Sequence, residues 1–106
     1  MADLQFPFPA PPEAVWNALP AGVDAVRGHG PHYDAQRGLL STRTGTTWRS
    51  WGQEIVAQVS PAPGGSTLTV RTSLKFGVVD WGEGKKLCTR FGDAVAGALG
   101  LTPPAR

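Results

Sequence analysis

The stretch GVVDWGEGKK, residues 77–86, holds three glycines followed by Lys85 and Lys86, at the start of a helical pattern. Backbone N–H groups freed by glycine, beside two ammonium groups, can hold a phosphate or a carboxylate. Gly82, Gly84, Lys85 and Lys86 therefore form a candidate anion site. The order is not that of a P-loop, because Glu83 follows Gly82 and neither Ser nor Thr follows Lys85. In the simpler alternative Asp80 caps the helix, Trp81 anchors it and the lysines stay in water.

A second group belongs to strands. Trp48 and Trp51 have opposite strand parity, so without a bulge one of them faces away from the helices. Such an aromatic, with Arg71 and Lys75, would make a binding platform, and a cross-strand aromatic pair covering the sheet is the plainer use of the same residues. Glu54 joins this ligand-binding set if Gly52 bends its strand towards a pocket. His29, His32 and Asp34 are spaced around a proline-containing turn that does not hold side chains together for a metal. Cys88 lies on an apolar helical stripe, which predicts a small buried hydrophobe rather than a nucleophile. The eight carboxylates form no pair with known mechanics. No cofactor motif appears, and no reaction is proposed.

These residues need elements to place them. Leu4, Phe6 and Phe8 alternate with polar partners over residues 3–8, a half-buried strand. Residues 10–20 read as a short helix, with prolines in its first turn, Val15, Trp16 and Leu19 as its apolar stripe, and Pro20 as its stop. Residues 22–27 suggest a weak strand, residues 28–31 and 34–38 turns, and residues 37–43 another strand. A long strand over residues 46–59 and the clean alternation of residues 67–76 are joined by a turn at 61–65. Residues 81–99 carry Leu87, Cys88, Phe91, Val95 and Leu99 at helical spacing, with Gly100 and Pro103 as a stop. The expected architecture is α+β: an antiparallel sheet of about five strands with both helices on one face, in the order β-α-β4-α. At 106 residues, with no internal repeat and no boundary, a single domain over residues 1–106 is expected.

The opening FPAPPEAVWNALP, the strand GGSTLTVRTSL and the closing helix resemble the START-like, polyketide-cyclase-like helix-grip superfamily. The stretch between residues 22 and 43 is too short for the elements that enlarge that superfamily's cavity. The resemblance therefore implies a miniature form, topologically similar to a TATA-binding-protein half-domain, with a ligand held between long helix and sheet. TSLKFGVVDWGEGKKLCTRF is also similar to a segment in a bacterial domain family of unknown function. Neither resemblance assigns a chemistry, since one fold hosts many functions.

Composition sorts the classes that fit. A net charge of +2, with no basic run beyond Lys85 and Lys86, argues against nucleic acid, which requires phosphate neutralisation. No stretch reaches the ~20 apolar residues of a membrane span, no signal-peptide order is present, and a single cysteine excludes an internal disulfide. A cytoplasmic protein is expected. The leading reading is a non-catalytic binding module for a small apolar or amphipathic ligand or for a protein partner, a second copy of the chain included. A weak nucleic-acid binder using the open sheet face, and an enzyme of unknown reaction, are the alternatives. A cavity of ~300 Å³ or more would favour a small ligand.

Overall fold

The computed structural model describes residues 2–44, 53–74 and 83–101. Strand β1 (Ala2–Phe8) is followed by helix α1 (Pro12–Ala25). Strands β2 (His29–Asp34), β3 (Leu39–Arg43), β4 (Gln53–Ala62) and β5 (Gly65–Leu74) come next, and helix α2 (Glu83–Ala98) closes the order. The five strands form one antiparallel sheet in the order β1-β5-β4-β3-β2, so the first strand lies at one edge, paired with the last. The β-α-β4-α order is therefore present, with both helices packed on one face of the sheet.

Strand parity decides which side chains meet the helices. Phe6 pairs with Leu68, and Leu68 with Val59; Val70 pairs with Ala57, and Ala57 with Leu40. All of these are buried. Phe91 and Val95 of α2 and Val15 and Leu19 of α1 cover this face, each fully buried, with Leu87 beside them. Two glycines set how closely the layers approach. A Cβ on Gly22 of α1 would stand 2.7 Å from the Phe91 ring, and one on Gly92 of α2 would stand 2.5 Å from the Phe6 ring. Aromatic rings thus fill the space that a side chain would otherwise occupy.

Three local expectations change. Pro20 does not stop the first helix; it lies inside α1, which runs on to Ala25. Residues 22–27 are therefore largely helix and not strand. The reason is burial: Val23 and Val26 continue the face begun by Val15, Ala18 and Leu19, and their apolar surface outweighs one hydrogen bond lost at an exposed proline. The helix then ends in a Schellman turn, with the amide of Gly28 donating to the Val23 carbonyl at 2.8 Å and that of Arg27 to Asp24 at 3.1 Å. This puts Arg27 in the left-handed region at φ 54°, where glycine is usual. Gly100 fills the same position after α2, as its sequence predicts, with φ 74° and a 2.8 Å bond from the Leu101 amide to the Ala96 carbonyl.

The third change is at residues 28–31, read as a turn. His29 to Asp34 instead form the edge strand β2, whose register with β3 slips between His29 and His32. Gly30 at φ 56° and Pro31 sit inside this bulge. The buried hydroxyl of Thr42 donates to the His29 carbonyl at 2.9 Å and fastens the near side of it. The hairpin between β4 and β5 turns at Pro63 and Gly64, the latter at φ 78°. Ser66 ties its far end to the segment after β1, donating to the Ala10 carbonyl at 2.7 Å.

Candidate functional site

The largest-looking opportunity in a helix-on-sheet protein is the space beneath the long helix. Here side chains occupy it: Leu19, Leu68, Val70, Phe91 and Val95 have no exposed surface. Cys88 is in the same layer, fully buried, and its thiol donates to the Val70 carbonyl at 3.4 Å. A small domain spends its apolar side chains on the core in this way.

A cleft of about 480 Å³ opens elsewhere, between the first turns of α1, the β2–β3 turn and the end of β4. Each wall has a local cause. Pro12 begins the helix, where its missing N–H costs nothing, and Glu13, Trp16 and Asn17 follow on the same helical face. Trp16 is half-buried against the core, and its ring meets Tyr33 edge-to-face, with centroids 5.8 Å apart and planes at 82°. The opposite wall is the turn after Asp34. The Arg37 amide donates to the Asp34 backbone carbonyl at 3.2 Å and to its Oδ1 at 3.3 Å. The Arg37 Nε stands 3.7 Å from Asp34 Oδ2. Gly38 at φ 64° lets the chain turn into β3, and its carbonyl accepts the Val59 amide at 2.9 Å. A Cβ there would lie 2.8 Å from the Val59 carbonyl oxygen, so turn and floor are locked together. Val59 and Pro61 form the floor.

Tyr33 is the one large hydrophobic side chain exposed among the described residues, at 41%. Partial burial, and then the negative charge of Asp24, hold its phenol above the usual 10.0.

The residues singled out from the sequence fall in other places. Trp48, Trp51, Lys75 and Gly82 lie outside the described residues, as do Asp80 and Trp81. Glu54 and Arg71 are exposed on the sheet face away from the helices. Arg71 makes an ion pair with Asp3 across β1 and β5 at 3.1 Å. Glu54 sits opposite Arg43, and these two line a depression of about 440 Å³ with His29 and Ser41. His32 lies further along β2, opposite Ser41, beyond the bulge. Gly84 is in the first turn of α2, and Lys85 and Lys86 are exposed beside Thr89, Arg90 and Asp93 on its outer side. Glu13, Asn17, Arg37, Val59 and Pro61 were not singled out. The turn at residues 34–38 and the proline-rich helix start were both legible, but nothing local says that they face each other.

The α+β architecture and its order define a helix-grip fold. Among solved structures, the chain is similar to Ara h 8.0201, with a TM-score of 0.53 and 13% sequence identity over 93% of this chain and 97% of that chain. That likeness supports the fold alone, and one fold hosts many ligands. No family model matches the sequence, and no curated protein matches it. Among the described residues no helix is long and apolar enough to cross a membrane.

Proposed function

We infer that the chain is a non-catalytic binding module for a small amphipathic ligand, taken up in the cleft between α1, the β2–β3 turn and β4. The observation that carries this reading is the cleft itself: about 480 Å³, with Pro12, Trp16, Val59 and Pro61 as apolar surface and Glu13, Asn17, Gln36 and Arg37 as polar groups. Small-molecule sites have this volume and this mixture of apolar wall and few polar contacts. The walls are held by backbone hydrogen bonds before any ligand arrives, so little ordering cost is left for binding. The helix-grip likeness is consistent with a ligand binder, although the cleft lies outside the space under the long helix.

The test is a fragment screen followed by two-dimensional NMR on the intact chain. Bound fragments should shift the Trp16 indole N–H and the Gly38 and Val59 amides together. Asn17→Trp, at an exposed helix position, should fill the cleft and abolish those shifts while leaving the melting temperature within a few degrees. Fragments that shift only Glu54, Arg71 and their neighbours would move the site to the open sheet face and refute this reading.

A further inference from the structure

We propose that the cleft selects an organic cation, a protonated amine carried on a small apolar ring-bearing body. The proposal rests on the reading of the cleft as a ligand site and adds the charge of what it takes. Two charged side chains line the cleft, Glu13 and Arg37. Their situations differ. Arg37 has its own counter-charge in Asp34, at 3.7 Å and within the same turn. Its side chain is 76% exposed, so water and salt screen its charge. Glu13 is exposed and has no ion-pair or hydrogen-bond partner among the described residues. Glu13 lies in the first turn of α1, where the helix dipole offsets about half of its charge, so the charge left for a ligand to meet is negative.

Glu13 and Trp16 are three residues apart on α1, one above the other on a single helical face. A carboxylate beside an indole can give two attractions to the same group, a charge contact and, where the ring face is reached, the electron-rich indole. The side-chain carbonyls of Asn17 and Gln36 can accept further ammonium hydrogens. An anionic ligand would face the reverse: Glu13 would repel it, and Asp34, 3.7 Å from the Arg37 Nε, offsets part of the charge that would attract it. Pro12, Val59 and Pro61 provide the dry contact for the body, and a volume of about 480 Å³ holds one ring and a short chain.

Three aryl probes of similar size and different charge separate the possibilities: phenethylamine, phenylethanol and phenylpropionate, each titrated to millimolar concentration and read at the Trp16 indole N–H and the Gly38 amide. Phenethylamine should bind about tenfold more tightly than phenylpropionate, with phenylethanol between them. Glu13→Gln should lower the phenethylamine affinity several-fold, leave phenylethanol within about twofold, and lower the melting temperature by no more than a few degrees, since the support Glu13 gives the fold is its first-turn interaction with the α1 dipole. Equal binding of all three probes, or a Glu13→Gln variant with its preference intact, overturns the cation proposal and leaves the cleft a ligand site. Absence of shifts at the cleft with every probe overturns both.

Discussion

Thr72 of β5 is 1% exposed, lies on the helix-facing side of the sheet, and its hydroxyl has no hydrogen-bond partner among the described residues. Its register neighbour in β4 is Ile55, which is fully buried. A hydroxyl taken out of water without a partner costs about 1–3 kcal/mol by mutational measure. Valine keeps the branched shape and the strand preference, and it removes the oxygen. Thr72→Val should therefore stabilise the protein by about 1–3 kcal/mol, and each kcal/mol corresponds to a rise of about 4–8 °C in melting temperature for a domain near this size. Urea denaturation should show a higher midpoint with an unchanged slope, the mark of a stability change without a change in exposed surface. A midpoint lowered by an amount equivalent to 1 kcal/mol or more would refute the reasoning. The hydroxyl would then have a partner such as an ordered internal water.

Three further outcomes follow from the packing and the charges. Gly22→Ala should destabilise by about 1–3 kcal/mol in thermal melts, because the added methyl meets the Phe91 ring at 2.7 Å and overpacking exceeds the ~1 kcal/mol that alanine gains in a helix; a stabilised variant would mean the ring moves freely. Cys88 should react with a thiol reagent slowly in the native protein and rapidly after denaturation, since it is fully buried; rapid native labelling would show the α2 layer to be open. Tyr33, whose phenol is held above 10.0 by burial and by Asp24, contributes stability that is fully present below pH 10 and is lost as pH rises through its higher folded value. Tyr33→Phe should flatten that alkaline decline in chemical-denaturation series, and an unchanged slope would count against the shift.

What the sequence determined by itself is whatever one side-chain period or one backbone angle decides. Leu68 and Val70 against Arg71 define a strand with one wet face, and Leu87, Phe91 and Val95 define a helix with one dry face; both faces are buried as that pattern requires. Gly100 ends α2 because only its φ of 74° is needed there, a local demand that glycine meets. The order of elements and the α+β class follow from such local signals.

Tertiary structure decided the rest, because the deciding energy lies between residues far apart in the chain. Val23 and Val26 fit a weak strand as well as a helix when read locally; burial of both against the sheet selects the helix and carries it past Pro20. No local signal marks Arg27 as the left-handed residue that ends it, since the glycine that would announce the turn stands one place later. The edge strand β2 hides behind Gly30 and Pro31, and it becomes a strand only because β3 supplies hydrogen-bond partners around a bulge. The cleft is the clearest case. Its helix, turn and strand walls are each ordinary in sequence, and only the folding of β4 under the β2–β3 turn, fixed by the bond from the Val59 amide to the Gly38 carbonyl, sets Glu13 and Trp16 across from them.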